Sequence, residues 1–250
     1  MRSVIAGNWK MHKTVPDALQ LVRELFSLEA GFPADVDVIV APPFTALEAV
    51  AQALRGQNRI RLSAQTMHWK ETGAYTGEIS PAMLVDIGVR YVILGHSERR
   101  QLFGETDEYV RLKTAAALTH GLTPIVAVGE TLEEHKAGRT MDKVASQIRA
   151  ALQGLLPEEI ARCVVAYEPI WAIGSGMSDD PDNANEVMRC IRGSVEGLEG
   201  VPLIYGGSVR PDNIAAFAAQ SDVNGALVGG ASLNADSFSA IIRAAQNVSA

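Results

Sequence analysis

The stretch CVVAYEPIWAIGSG, residues 163–176, begins as a short apolar strand from Cys163 to Tyr167 and ends it on an acid, Glu168. Its apolar residues run without in/out alternation, the pattern of a strand buried on both faces of a parallel sheet. Pro169 braces the acid, and an apolar segment with two glycines follows. That arrangement suits a carboxylate base beneath a hinged lid over about residues 169–179. Taken alone, an acid at a strand tip is more often a solvated rim residue. The rest of the chain decides between the two.

Seven further runs have the same character: Val4–Ala6, Val36–Ala41, Ile60–Ala64, Tyr91–Leu94, Pro124–Val128, Val201–Tyr205 and Gly225–Val228. Successive runs start roughly 25 to 40 residues apart, which leaves room for a helical crossover each time. Helical periodicity is clear over Asp17–Leu28, Glu108–Thr119, Leu132–Leu152, Asn183–Arg192 and Asp236–Ala245. Thr45-x-x-Glu48 and Thr131-x-x-Glu134 read as capping boxes, and Ser80-Pro81 as an N-cap followed by proline at the first helical position. Gly56, Gly88 and Gly121 fall where helices end on a left-handed glycine. No low-complexity linker divides the chain, so residues 1–250 are expected to form one α/β domain.

Two architectures accommodate eight βα units in a 250-residue chain: a closed (β/α)8 barrel and a doubly wound open sheet. Loop chemistry favours the barrel. Asn8, Gln65, His96, Glu130, Glu168, Gly206-Gly207-Ser208 and Gly229-Gly230 all follow strands, which in a barrel makes one ring of groups around one mouth.

Composition excludes several functions. With 47% hydrophobic and 20% charged residues the chain is globular, and a net charge of −7 argues against non-specific nucleic-acid binding. Net charge does not exclude an anionic small molecule, because backbone N–H groups and one or two lysines suffice to hold a phosphate. The two cysteines, Cys163 and Cys190, lack metal or redox spacing, and the five histidines lack an H-E-x-x-H pattern. No metal and no cofactor are expected. The N-terminus runs straight into Val4-Ile5-Ala6, and no apolar run approaches membrane-spanning length, so a soluble cytoplasmic protein without membrane contact is expected.

Three further features carry chemistry. His96 opens HSERRQLFGE, where Ser97 is expected to cap a short helix whose positive end disfavours the imidazolium. Lys10 lies two residues beyond Asn8, and strand alternation would send both side chains toward the mouth. Gly206-Gly207-Ser208 and Gly229-Gly230, after the last two strands, offer unobstructed backbone N–H groups where barrels hold phosphate; no G-x-G-x-x-G or Walker pattern is present. A base, a neutral electrophile, a cation and a phosphate cradle are what an aldose–ketose isomerisation requires. Excluding water then protects the enediolate.

AGNWKMH at 6–12, GHSERR at 95–100, VGETLEE at 128–134, YEPIWAIGSG at 167–176, YGGSV at 205–209 and GALVGGASL at 225–233 resemble, in order and spacing, the motifs of the triosephosphate isomerase family over the whole chain. The resemblance implies a TIM barrel interconverting glyceraldehyde 3-phosphate and dihydroxyacetone phosphate, in glycolysis and gluconeogenesis. It implies Glu168 as the base, His96 as the neutral electrophile and Lys10 as the partner of the substrate oxyanion, with Asn8 orienting the substrate. It further implies that Gly174, Ser208, Gly229 and Gly230 bind phosphate, that Tyr205 with Ser208 grips the closed lid, and that Glu98 is a supporting acid. A homodimer is implied too, the segment around Thr76 reaching the partner's site near Lys13. Departures from the usual pattern are Ala127, Thr66, Ser175 and the lid's end at Met177-Ser178-Asp179, none of which removes a catalytic group.

Two rivals remain at this point. One is another phosphate-handling barrel enzyme, such as an epimerase or synthase; the other is a barrel that binds without turnover. The joint presence of Lys10, His96 and Glu168 speaks against both.

Overall fold

The computed structural model describes residues 2–174 and 178–245. Its centre is a closed parallel barrel of eight strands in sequence order: β1 (Ser3–Asn8), β2 (Val36–Ala41), β3 (Ile60–Ala64), β4 (Tyr91–Leu94), β5 (Thr123–Val128), β6 (Val164–Tyr167), β7 (Leu203–Tyr205) and β8 (Gly225–Val228). The seam that excludes an open sheet is β1 against β8, with Val4 opposite Gly225 and Gly7 opposite Val228.

Two apolar layers explain the unbroken hydrophobic runs. Val4, Ala6, Ile39, Ile93, Ile125, Val164, Ala166, Ile204 and Leu227 fill the barrel interior. Their strand neighbours Ile5, Val38, Val40, Val92, Val126, Val165 and Leu203 point outward, into the layer shared with the helices. Side chains therefore alternate between two buried environments, and both demand apolar residues. Ala127, one of the departures from the family pattern, belongs to the inner layer.

Most helix ends lie where local chemistry predicts. Ser80 Oγ accepts the Met83 N–H, and Thr131 with Glu134 forms a reciprocal capping box. Gly56, Gly88 and Gly121 have φ of +79°, +90° and +75°, conformations that cost a side chain dearly. Two expectations are corrected. The Thr45–Glu48 capping box does not form, because the helix Phe44–Ala53 starts two residues earlier, with Pro43 in place of Thr45 at the N-cap. The single helix expected over Leu132–Leu152 is two, Leu132–Lys136 and Thr140–Leu152, parted at Gly138, whose φ is +68°.

Candidate active site

The mouth formed by the C-terminal ends of the strands holds a cavity of about 580 Å³. Asn8, Lys10, His96, Glu168, Gly174, Ser208, Gly229 and Gly230 all line it. Glu98 and Tyr205 do not. Glu98 lies in an adjoining cleft with Lys10, while Tyr205 is buried behind the cavity wall.

Glu168 continues β6 by donating its N–H to Val128 O of β5 at 2.8 Å, and only 1% of its surface is exposed. Glycines on both sides permit this. A Cβ on Gly129 would overlap the Glu168 carbonyl oxygen, and one on Gly206 would come within 2.8 Å of Glu168 Cγ. The Ser97 N–H donates to Glu168 Oε2 at 2.8 Å, which fixes one carboxylate oxygen. Oε1 has no aligned donor, although His96 Nε2 stands 3.1 Å away.

His96 corrects the capping expectation. The helix Ser97–Phe103 is capped by His96 itself, whose Nδ1 accepts the Glu98 N–H at 3.2 Å. A backbone N–H can only donate, so Nδ1 carries no proton and the neutral imidazole bears its proton on Nε2, facing Glu168. Ser97 serves through its backbone N–H, not its hydroxyl. Arg100 anchors the loop from below, donating to Gly95 O at 2.7 Å and Ala127 O at 3.2 Å and pairing with Asp107 at 2.6 Å.

Lys10 reaches the mouth by a route that strand alternation does not describe. β1 stops at Asn8, and Lys10 takes φ +51°, a left-handed conformation rare outside glycine. The turn is held by Asn8 Oδ1, which accepts the Lys10 N–H at 3.0 Å, and by Gln65, whose amide donates to Lys10 O at 2.8 Å. The ammonium then pairs with Glu98 Oε1 at 2.6 Å. Arg99 behind it joins Glu105 (2.9 Å), which also accepts from Lys113 (2.8 Å); Lys113 in turn reaches Thr66 Oγ at 3.2 Å.

After Glu168 the chain makes a short turn, Ile170–Ala172. Trp171 Nε1 and the Tyr167 hydroxyl both donate to Glu130 Oε1, at 2.8 and 3.2 Å. At the end of the segment expected to form a lid, the Asp179 N–H donates to the Tyr205 hydroxyl at 3.1 Å. Ser175 and Met177, both singled out in the sequence, lie outside the described residues. Burial pushes the Glu130 and Asp179 carboxyls above their ordinary range, against the pull of their hydrogen bonds. At the far side, Gly229 O accepts from Ser232 N–H and Oγ at the turn Gly230–Leu233. A Cβ on Gly230 would meet no protein atom within 4 Å, so packing does not demand glycine there.

Residues the sequence reading passed over are Ile173, Arg210, Asp212, Leu227 and Ser237, which line the same cavity. Position after β7 was the available signal for Arg210 and Asp212, whereas Leu227 lies within β8. Glu130 stood in the predicted ring without a role, and its indole partner was not foreseen. Cys163 is a core thiol pushed up to about 12 by burial, far from nucleophilic. Among the described residues, no helix is long and apolar enough to cross a membrane.

A closed barrel whose mouth gathers a buried carboxylate, a neutral imidazole and a lysine defines a (β/α)8-barrel enzyme with acid–base groups at the C-terminal face. The sequence matches the family model described as triosephosphate isomerase over residues 3–245. It is 53% identical to the triosephosphate isomerase of Caldanaerobacter subterraneus subsp. tengcongensis over 247 residues, covering 96% of this chain and 98% of that one. The Symbiobacterium thermophilum triosephosphate isomerase is also 53% identical, over 97% of this chain and 96% of its own, and that of Thermoanaerobacter sp. is 51% identical over 96% and 98%. The chain belongs to the triosephosphate isomerase family and is accordingly an isomerase.

Proposed function

We propose that the protein interconverts D-glyceraldehyde 3-phosphate and dihydroxyacetone phosphate, with Glu168 as the base, His96 as the neutral electrophile and Lys10 as the electrostatic partner of the substrate oxygen. The observation that carries this reading is the pairing of a buried carboxylate oxygen lacking an aligned donor with an imidazole N–H at 3.1 Å, at the wall of one cavity. Glu168 removes the proton from the carbon beside the carbonyl, and the carbonyl oxygen gains negative charge as the enediolate forms. His96 Nε2–H and the Lys10 ammonium stabilise that charge with groups already in place, and Asn8 orients the substrate. Delivering the proton to the neighbouring carbon completes the isomerisation. Neither a cofactor nor a metal enters these steps.

The phosphate is held by backbone N–H groups at Gly174, Ser208, Gly229 and Gly230, which the bare glycine surface supports. Glu98 acts as the supporting acid through its ion pair with Lys10. Tyr205 steadies the end of the lid through Asp179, and the lid excludes water that would otherwise let the enediolate lose phosphate. The chain acts as one domain and as a cytoplasmic homodimer. Support for the dimer comes from the exposed run 70–78, which includes Thr76, and from Met11, 94% exposed beside Lys10. An apolar side chain so bare suits a contact with a second copy.

The test is a steady-state assay of glyceraldehyde 3-phosphate conversion with Glu168→Ala prepared in parallel. A kcat/KM of roughly 10⁶ M⁻¹s⁻¹ or more, abolished by the substitution, is expected. Equal activity in both preparations would refute the assignment.

A further inference from the structure

Glu130 presents an electrostatic problem that the proposed chemistry does not use. Its side chain has no exposed surface, Oε1 accepts from Trp171 and Tyr167, and Oε2 has no hydrogen-bond partner among the described residues. A buried carboxylate in that position calls for a positive partner. Among the described residues, His135 is the only basic side chain within 4 Å, its Nδ1 lying 3.6 Å from Glu130 Oε1. The same imidazole packs on the Trp171 indole with ring centres 4.6 Å apart and planes tilted by 31°. One ring therefore touches both the acceptor and the donor of the hydrogen bond that ties the turn after Glu168 to the barrel.

We propose that His135 is a positioning residue for the isomerisation: in its protonated form it balances the Glu130 charge, braces Trp171, and so fixes the turn Ile170–Ala172 that directly follows the base. The inference rests on the functional reading of Glu168 given above. Other charged groups face this ring. Glu130 and Tyr167 approach from the barrel, and Asp179 acts on it from beyond the lid. On the helical side Glu134 is already paired with Lys143 at 3.1 Å, and the remaining contact of the ring is Thr140 Oγ, 3.3 Å from Nδ1. Burial raises both the Glu130 and Asp179 carboxyls, and the positive charge of His135 opposes that rise at each. When the imidazole loses its proton, two buried carboxylates at the lid's two ends lose their shared counter-charge. The His135 side chain is partly exposed.

The experiment compares kcat and KM for the parent protein, His135→Gln and His135→Arg at constant ionic strength between about pH 5.5 and about pH 8.5, the span across which imidazoles in general change charge. The parent's kcat/KM is expected to fall, relative to the Arg variant, by about three- to tenfold as pH rises. The Gln variant should stay low throughout, and the Arg variant, permanently charged, should stay high. Thermal unfolding of all three identifies a variant that fails to fold; the Arg–parent comparison alone then decides. Coincident pH profiles would overturn the inference, as would a pH-independent loss in Gln that Arg does not restore, since that is the mark of packing alone. If the parent does not isomerise triose phosphate, the functional reading falls and this inference with it. An active parent with unresponsive variants removes this inference only.

Discussion

Ser97 N–H and Glu168 Oε2 meet at 2.8 Å, so the loop after β4 that carries His96 also holds the carboxylate after β6. Imidazole and carboxylate share one frame, and the remaining carboxylate oxygen faces His96. Placement of Glu168 is thus set by a backbone donor that no substitution of Ser97 other than proline removes.

Shortening that carboxylate tests the frame. Glu168→Asp withdraws the oxygens by about one methylene, and kcat is expected to fall about 100-fold or more. Affinity for a phosphate-bearing analogue should change by less than about threefold. Parallel losses of turnover and affinity would make Glu168 a binding group.

Gly206→Ala probes the same residue from behind. The new Cβ would lie 2.8 Å from Glu168 Cγ and 3.1 Å from Tyr167 O, and one of them must move. We expect kcat to drop about tenfold or more, with a stability loss of about 1–3 kcal/mol measured by denaturant unfolding. An unchanged kcat would show that the carboxylate tolerates displacement.

Lys10→Met removes the ammonium from a left-handed turn that aims it at both the cavity and Glu98. kcat/KM should fall about 100-fold or more. Raising salt should leave that deficit in place, because the lost charge acts inside the mouth; recovery with salt would point to long-range steering instead.

Asp179→Ala and Tyr205→Phe separate a side chain from a backbone contact. Asp179→Ala keeps the N–H that reaches Tyr205, so kcat should change by less than about tenfold. Tyr205→Phe removes the acceptor and should weaken binding of a phosphate-bearing analogue by about five- to tenfold in calorimetry. A reversed ranking would mean that the Asp179 carboxylate, bonded to Asn183 and Asp180, is what holds the lid's end.

Asp222 gives a prediction about stability. Burial alone would raise its carboxyl, but hydrogen bonds from Arg192, Ser221 and Arg189 hold it below the usual aspartate range. A lowered folded-state value means stability that is present above the unfolded value and is lost as pH falls through the folded one. Asp222→Asn should therefore cost about 1–3 kcal/mol at pH 7, the gap narrowing below about pH 4. A gap that persists at low pH would assign the loss to packing.

The strands were legible because burial on both faces leaves an unbroken apolar run, and all eight lie within two residues of where that pattern puts them. Asn8, His96, Glu168, Gly229 and Gly230 were legible as cavity-lining residues because they sit one or two positions past those runs, whereas Lys10, Ser208 and Gly174 lie further along their loops. What escaped depends on contacts across the chain or on backbone conformation. The Lys10–Glu98 pair joins residues 88 positions apart, and nothing in the residue types near Lys10 announces a left-handed turn. The cap of the helix after β4 was misassigned because serine is the commoner cap, whereas here the imidazole Nδ1 of His96 accepts the Glu98 N–H. Histidine 135 had no local signal; its neighbours Glu130 and Trp171 come from other elements.

The seam between β1 and β8 also governs when activity can first exist. As the polypeptide leaves the ribosome from its N-terminus, Asn8 and Lys10 emerge well before their cavity partners Gly229 and Gly230. No nascent chain that stops short of Gly229 owns both walls of the pocket. Lys10 must wait for the eighth strand before its cavity gains a second wall.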